Sequence, residues 1–365
     1  MKRFRILIIR IDFLGDMICT TPLIQAIKNK WPDSEIHVLA NKYNSPILEN
    51  NPHISCVHTY VYSKQCERNI EPGKLNAFIK RIALIFRLRS LKFDLGIIPN
   101  GGVNKNSIQF IRHLNIPDAR WHTHATEFDD RNNDHVSNRP IIHECLSGFK
   151  LLPEINLPKT DVLKLTVYPN HDLREEWLKK INSNKLKIGL FVSNKSVERK
   201  WDLSKWLNLI KSMNSQADFF IFYDPTDKIN SKYFSGLSAT LVNTKSVQHM
   251  IAATSCMELI VSADSAPVHL SSALNIPVVA LFENRPEKYL RWHPIGVEYK
   301  LLKNKKIVND IEVSAVIDAV NFFLGRRRDF FGYAACGKPL FGGIQTLVLP
   351  TSLSNADETS PSKYQ

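Results

Sequence analysis

The sequence lacks a long hydrophobic run. No stretch reaches the roughly 18 consecutive apolar residues that a membrane-spanning helix needs. The apolar segment at the amino terminus ends at Arg10 and Asp12, too early to be the core of a signal peptide. These two absences predict a soluble, cytoplasmic protein.

Motifs for metals and for the common nucleotide-binding loops are also missing. The six cysteines are scattered and form no CxxC pair, and neither a His/Cys zinc spacing nor an Asp-x-Asp pair occurs. We therefore predict reduced thiols, no metal site and no cofactor. A single glycine, Gly15, follows the first predicted strand, which disfavours a GxGxxG dinucleotide site, and the P-loop pattern is absent.

Acidic residues are few relative to basic ones. The chain has 35 Asp and Glu against 48 Lys and Arg, a net charge of +13. Such an excess favours anionic partners, among them nucleic acid, phosphorylated lipid and nucleotide sugars. The basic residues do not alternate with aromatics on a base-stacking surface, and no nucleic-acid motif is found, so we predict no nucleic-acid partner.

Short β-branched runs alternate with segments of helical periodicity throughout the chain. This pattern predicts an α/β fold with parallel sheets built from βαβ units. The alternation occurs twice, and 365 residues suit two domains, which we place at 1–165 and 166–325. Gly325 is predicted to end the last helix of the second domain. Residues 326–365 form an extension whose polar end we predict to be disordered.

Asp16 follows the first predicted strand directly, next to Gly15. Ligands of open α/β sheets bind outside the carboxyl ends of strands, where this segment is placed. We predict that it is a loop and that the next helix opens at Thr20-Thr21-Pro22. A carboxylate held there suits a general base. From position and residue type alone, capping of the following helix has equal weight.

A second strand–turn–helix segment lies at residues 262–269. Its turn and first helical residues are Asp264, Ser265 and Ala266, and the free amides and dipole of that helix end suit a diphosphate. His269 lies one turn further along and can point back at the same ligand. Taken singly, Asp264 is more often a helix cap and His269 a hydrogen-bonded buried histidine.

A third segment follows the predicted strand that ends at Val192. It combines hydroxyls with cations, which are the groups that stabilise the growing negative charge of a leaving diphosphate. A solvated basic loop is the alternative. The candidate residues are Ser193, Ser196, Arg199 and Lys200, with Lys195 as a further cation.

The region from Lys64 to Lys92 is strongly basic, and within it residues 74–92 have helical periodicity. Apolar residues recur there at Leu75, Phe78, Ile79, Ile82, Ile85 and Phe86. We favour the interpretation that this stripe packs on the sheet and leaves the basic face for an anionic acceptor. Insertion of the stripe into lipid is the alternative.

The three site segments together resemble the lipopolysaccharide heptosyltransferase family, glycosyltransferase family 9. The resemblance rests on GDMICTTPL, ERKWDLSKW and SADSAPVHLSSALNIPVVALF. It implies a GT-B fold, in which two Rossmann-like domains face each other across a cleft. It also implies inverting, metal-independent transfer of heptose from ADP-heptose to the lipopolysaccharide inner core, a lipid-linked anionic glycan at the cytoplasmic face of the inner membrane.

The resemblance also implies roles for single residues. The base falls on Asp16, and the first domain binds the acceptor through Gly15 and the basic region at Lys64, Arg68 and Lys74. The second domain binds the nucleotide sugar through Ser193, Ser196, Arg199, Lys200, Asp264, Ser265, Ala266 and His269.

One segment departs from the family pattern. Residues 282–286 read Phe-Glu-Asn-Arg-Pro where the family commonly has Phe-Gly-Pro-Thr. Two alternatives therefore stay open: a related GT-B transferase that uses another nucleotide sugar for outer-core or capsule glycan, and a catalytically silent paralogue that binds glycolipid.

Overall fold

The computed structural model describes residues 3–60, 73–122 and 142–334, with side chains described to residue 326. These ranges form two parallel sheets. The first sheet contains β1 (Arg5–Arg10), β2 (Glu35–Asn41), β3 (Cys56–Tyr60), β4 (Leu95–Ile98) and β5 (Asp118–Trp121), in the order β3-β2-β1-β4-β5. The second contains β6 (Leu186–Phe191), β7 (Ala217–Phe222), β8 (Ala239–Val242), β9 (Leu259–Ala263), β10 (Val278–Leu281) and β11 (Tyr299–Leu302), in the order β11-β10-β9-β6-β7-β8.

Helices connect these strands. They are α1 (Leu14–Lys30), α2 (Lys74–Ser90), α3 (Lys105–Leu114), α4 (Glu144–Ser147), α5 (His171–Lys180), α6 (Leu203–Met213), α7 (Val247–Thr254), α8 (Ala266–Ala273), α9 (Pro286–Trp292) and α10 (Val313–Ala334). None of the helices in the described ranges is both long and apolar enough to span a membrane.

The strand order reverses at one point in each sheet. In the first sheet the chain leaves β1 toward β2 on one side and later returns to β4 on the other, and in the second sheet β6 and β9 have the same relation. The crevice at the carboxyl ends of such strand pairs is the ligand-binding position of open α/β sheets. Central strands are buried on both faces, and Ile6 to Ile9 of β1 are fully inaccessible.

Helix α1 begins earlier than predicted, at Leu14 rather than at Thr20. Gly15 and Asp16 therefore lie in its first turn, and the prediction that they form a loop is wrong. The helix end still follows directly on the carboxyl end of β1, so the position relative to the sheet is the one expected.

A side-chain hydroxyl allows α1 to continue through Pro22. Proline has no N–H to donate to the carbonyl of Ile18, four residues earlier. Thr21 Oγ1 donates to that carbonyl instead, at 2.7 Å. The same hydroxyl oxygen accepts from the backbone N–H of Thr166 at 3.0 Å.

The apolar stripe of α2 faces solvent, so the interpretation that it packs on the sheet is wrong. Of its six members only Ile85 is partly buried, and the other five are exposed. The buried residues of α2 are Ala77, Leu84 and Leu88. A smaller apolar face than the predicted stripe therefore packs on the sheet.

At the other end of the chain, α10 continues through Gly325 to Ala334, so Gly325 does not end the helix. The predicted domain boundary at 165/166 falls between β5 and β6 and stays a prediction. One of the apolar clusters spans both halves, and Leu23 and Ile24 of α1 lie in it together with Leu270 of α8. Packing between α1 and α8 therefore joins the carboxyl-end sides of the two sheets.

Candidate active site

The centre of the first switch point is a buried arginine. Arg10, the last residue of β1, has a side chain that is 1% exposed. Its Nε donates to Asp12 Oδ1 at 2.9 Å, and its Nη2 donates to Asp16 Oδ1 at 2.5 Å and to Glu144 Oε1 at 2.9 Å. Asp12 is tied in turn to the neighbouring strand, because Asn100, just beyond β4, donates Nδ2 to Asp12 Oδ2 at 2.5 Å.

Glu144 connects this arginine to the second half of the chain. The carboxylate is 2% exposed and accepts from the Gly101 backbone N–H at 3.1 Å. Its other oxygen accepts from Arg291 of α9, from Nε at 3.0 Å and from Nη2 at 2.6 Å. Asp16, Arg10, Glu144 and Arg291 thus form one chain of ion pairs between the two sheets.

The carboxylates of this chain differ in their pKa. Burial raises the pKa of Asp16, and Glu144 adds to the rise while Arg10 opposes it. Burial also raises the pKa of Asp12, to about 7, against the opposing effect of Arg10. Burial acts in the same direction on Glu144, but Arg291 and Arg10 outweigh it and lower its pKa to about 2. A raised pKa makes Asp16 a stronger base than an ordinary aspartate.

The carboxylate of Asp16 is directed at Arg10 and not at the helix end. Phe13 occupies the N-cap position of α1 without a side-chain cap. The Asp16 side chain is 17% exposed, so solvent and a ligand can reach it. Of the two interpretations, general base and helix cap, this geometry favours the base.

Gly15 lies where α1 meets α8. A Cβ atom at this position would be 3.0 Å from His269 Cδ2 and 3.4 Å from Ala266 Cα, so even a methyl group would need His269 to move by a few tenths of an ångström. His269 is buried, with Nδ1 3.5 Å from Cys19 Sγ and its ring against Trp292. The structure thus brings Gly15, Ala266 and His269 together, with His269 packed into the contact between the halves.

Two residues predicted separately for the donor site, Asp264 and Arg199, meet at the second switch point. Asp264 follows β9 and is 5% exposed. Arg199 Nη1 lies 3.7 Å from Asp264 Oδ2 and donates to the Asp264 carbonyl at 3.2 Å, and Asn194 Nδ2 donates to the same carbonyl at 3.2 Å. Burial raises the pKa of Asp264, and Arg199 and Lys288 oppose this rise.

The hydroxyls of two other predicted donor-site residues are hydrogen-bonded to carboxylates other than that of Asp264. Ser193 Oγ donates to Asp227 Oδ2 at 2.5 Å, and Ser196 Oγ donates to Glu198 Oε2 at 2.6 Å. Lys200 is exposed. Arg199 is therefore the cation of this segment that meets Asp264.

The first turn of α8 carries no side-chain cap. Ser265 occupies the N-cap position, and its hydroxyl donates to the Ala263 carbonyl at 3.1 Å rather than accepting from the helix amides. The amides and the helix dipole at this end are therefore not satisfied by the capping residue, as an anion site requires.

The segment that departs from the family pattern supplies a further buried acid. Glu283, directly beyond β10, is 5% exposed and lies 3.7 Å from Arg285 Nη1. Burial raises its pKa, and Lys288 and Arg285 oppose the rise while Asp264 adds to it. Glu283 therefore lies within electrostatic reach of the Asp264 and Arg199 pair.

Predicted acceptor residues are only partly placed. Lys74 is exposed at the start of α2. Lys64 and Arg68 lie outside the described residues, so their role in acceptor binding stays a prediction.

Sequence reasoning missed Arg10, Asn100, Glu144 and Arg291. A signal exists for Arg10, because a charged residue ends an otherwise apolar strand, Ile6 to Ile9. For Glu144 and Arg291 we find no local signal, because each is defined by a partner far away in sequence.

In the ranges that the structure describes, one group of side chains has the composition of a metal site. The ligand atoms of His37, Cys56 and His58 lie within 4.8 Å of one another. Linear spacing does not reveal the group, because it forms across β2 and β3. His37 Nδ1 and His58 Nε2 are hydrogen-bonded at 2.9 Å, and burial lowers the pKa of both, to about 4 for His58. These contacts describe a neutral imidazole pair, separate from the β1–β4 switch point.

Comparison with known proteins finds relatives that are glycosyltransferases. The sequence model of glycosyltransferase family 9 (heptosyltransferase) matches residues 81–316, more than half of the chain. Lipopolysaccharide heptosyltransferase 3 from Escherichia coli is 22% identical over 296 residues, covering 77% of this chain and 84% of the relative.

Solved structures show the same fold. The glycosyl transferase family 9 structure from Veillonella parvula has a TM-score of 0.70 at 17% identity, covering 88% of this chain and 97% of that one. The E. coli heptosyltransferase WaaC with ADP has a TM-score of 0.65 at 15% identity, covering 87% and 99%. This likeness confirms the predicted α/β architecture of the GT-B type.

Proposed function

The chain belongs to glycosyltransferase family 9, and from that premise we propose that it transfers a heptose from ADP-heptose to the inner core of lipopolysaccharide. The observation that carries the proposal is the placement of two charged sites at the two switch points. Asp16 lies at the carboxyl ends of β1 and β4, and the Asp264–Arg199 pair lies at those of β6 and β9. The contact of Gly15 with Ala266 joins the two segments.

In the proposed reaction Asp16 is the general base. Its carboxylate takes the proton of an acceptor hydroxyl while the hydroxyl oxygen forms a bond to the anomeric carbon of the donor. The bond from that carbon to the diphosphate oxygen breaks, and its electron pair leaves with the nucleoside diphosphate. A single displacement inverts the anomeric centre, so one catalytic carboxylate is sufficient.

The donor side supplies positive charge for the leaving diphosphate. Arg199 lies at the mouth of the second sheet, and the uncapped first turn of α8 adds backbone amides and the positive end of the helix dipole. The negative charge on the diphosphate grows as the bond breaks, so these groups act most strongly in the transition state. We propose that they replace a metal ion in this role.

The choice of ADP-heptose as donor is supported by the relatives. The WaaC structure with the same fold holds ADP, and the E. coli relative is a lipopolysaccharide heptosyltransferase. The acceptor that we propose is a lipid-linked anionic glycan, and the net charge of +13 suits both substrates. Its lipid anchor places the enzyme in peripheral contact with the cytoplasmic face of the inner membrane.

The proposal is tested with Asp16→Asn in a mass-spectrometric assay of transfer from ADP-heptose to truncated lipopolysaccharide. We expect a loss of about 10²- to 10⁴-fold in kcat, because asparagine cannot accept the proton. Asp172→Asn is the matched control, since Asp172 lies in the first turn of α5 and is exposed. Normal turnover by a folded Asp16→Asn variant would remove Asp16 from the mechanism.

The two alternatives give different results in the same experiments. Calorimetric titration with ADP- and UDP-sugars tests the donor, and tighter binding of a UDP-sugar would point to an outer-core or capsule enzyme. A chain that binds glycolipid but neither transfers sugar nor hydrolyses the donor would be a silent paralogue.

A further inference from the structure

Helix α2 presents an apolar surface to solvent. We call this surface the outer face of α2. Its members are Leu75, Phe78, Ile79, Ile82 and Phe86, with exposed fractions of 72%, 57%, 56%, 40% and 66%.

The spacing of these residues makes the surface continuous. They follow one another at i, i+3, i+4, i+7 and i+11, which aligns them along one side of a helix. The residues that α2 buries, Ala77, Leu84 and Leu88, lie on the other side. The outer face therefore takes no part in packing α2 on the sheet. Contiguous exposed apolar patches on soluble proteins mark interaction sites.

The charged residues of α2 itself are all positive. Lys74, Arg87 and Arg89 are exposed, and α2 contains no acidic residue. A second copy of the same face would bring these cations against each other. An anionic lipid surface satisfies both properties, because apolar side chains enter the boundary between headgroups and acyl chains while cations meet the headgroups.

We propose that the outer face of α2 docks the protein on an anionic membrane. The inference deepens the proposed function and rests on it in one respect, the lipid-linked acceptor that docking would bring within reach. Helix α2 follows β3 of the first sheet, and Asp16 lies at the carboxyl end of β1 in that sheet. The half of the chain that carries the proposed base is then the half held at the bilayer.

Vesicle sedimentation with the full chain tests this proposal. Vesicles of phosphatidylethanolamine with phosphatidylglycerol are compared with vesicles of phosphatidylcholine, and we expect binding to the anionic vesicles that weakens with salt. The double variant Phe78→Gln, Phe86→Gln should lose about tenfold or more in binding, because two exposed rings no longer enter the bilayer. Arg87→Gln with Arg89→Gln should lose about fivefold for each cation.

The matched control is Leu157→Gln, which changes an apolar residue that is 54% exposed outside α2. It should bind vesicles like the unaltered chain. Unchanged binding by the Phe78→Gln, Phe86→Gln variant would overturn the proposal. A concentration-dependent dimer that this variant abolishes, with no vesicle binding by the unaltered chain, would overturn it in favour of a contact between copies.

Transfer to a delipidated, soluble acceptor separates this inference from the proposed function. The Phe78→Gln, Phe86→Gln variant should keep that activity while it loses vesicle binding. If the unaltered chain binds anionic vesicles as expected but transfers no sugar, the proposed function fails and the docking surface stands.

Discussion

At the scale of single residues, the site depends on how one cation is shared. Arg10 is buried and contacts three carboxylates, while Arg291 contacts only Glu144 among them. Arg10 Nη2 donates to Glu144 as well as to Asp16, so Asp16 does not have this cation to itself. The negative charge of Glu144 also raises the pKa of Asp16. Burial is the main cause of the raised proton affinity of the proposed base, and Glu144, 128 positions away from Asp16 in sequence, adds to it.

Replacing Glu144 with glutamine tests this arrangement. The pKa of Asp16 should fall, because a like charge is removed and Arg10 is released to it. A base works only when deprotonated, so the acidic limb of the pH profile of kcat/KM should move to lower pH. The two arginines lose a buried charge partner, and we expect about 3 kcal/mol of destabilisation in urea unfolding.

Glu154→Gln is the control for this prediction. Glu154 pairs with Arg120 near the surface, with a side chain that is 36% exposed, so its loss should cost less than about 1 kcal/mol and leave the pH profile in place. An acidic limb that does not move in Glu144→Gln would show that Glu144 has only a structural role.

At this scale the sequence predicts some of the residues at the ends of strands, misses Arg10 and Asn100 at the ends of β1 and β4, and misses the residues that come from elsewhere. Asp16, Arg199 and Asp264 were found because each comes directly after or close after an apolar run. Glu144 and Arg291 belong to short helices whose sequences show no distinctive pattern, and only the fold brings them to Arg10.

At the scale of elements, α1 shows how a helix accommodates a proline. The hydroxyl of Thr21 serves two backbone groups, the Ile18 carbonyl and the Thr166 N–H. Thr21→Val keeps the shape but leaves both groups unsatisfied, so we expect a loss of about 2–3 kcal/mol in the free energy of unfolding.

The neighbouring threonine provides the comparison. Thr20 Oγ1 donates to the Asp16 carbonyl at 2.9 Å, a carbonyl within reach of the regular helix N–H four residues on. Thr20→Val should therefore cost about 1 kcal/mol. Equal losses for the two valine variants would argue against a special role of Thr21 at Pro22.

The same helix and α2 show where periodicity is insufficient. The sequence predicts Pro22 in the first turn of its helix, because an isolated proline fits that position best. The hydroxyl of Thr21 that compensates for Pro22 inside the helix cannot be foreseen without the fold. In α2 the periodicity identified a stripe correctly but not the side of the helix that is buried. The side of α2 that packs against the sheet is the smaller apolar face, which consists of Ala77, Leu84 and Leu88. Strands β5, β8 and β11 are short and only partly buried, so the sequence gives only a weak signal for them.

At the scale of the whole molecule, the two halves also meet through histidines. His143 precedes α4, and its Nε2 lies 2.9 Å from the His293 carbonyl, with the two rings 4.6 Å apart. Burial lowers the pKa of both, and His143 lowers that of His293 further, to about 4. Glu144 and Arg291 act on His143 with opposite sign.

This contact should make the protein sensitive to acid. The unfolded chain binds protons at His293 near the ordinary pKa of 6.5, whereas the folded chain binds them only near 4. The contribution is therefore constant above about pH 6.5, and stability decreases as pH falls toward about 4. We expect a loss on the order of 1–3 kcal/mol over this range, seen as a falling Tm.

His293→Gln removes the titrating group and should reduce the slope of Tm against pH. His113→Gln, at an exposed position on α3, should leave the slope unchanged. If both variants keep the full acid sensitivity, other groups are responsible for it.

The exposed apolar side of α2 has a consequence for how an enzyme of this kind would find its substrate. A chain held at a bilayer through that helix diffuses in the plane in which a lipid-anchored glycan also diffuses. The search between the two partners then takes place on a surface rather than in a volume. Encounter would depend on how densely the glycan is packed in the leaflet, and turnover in cells would follow its number per unit area rather than its amount per litre.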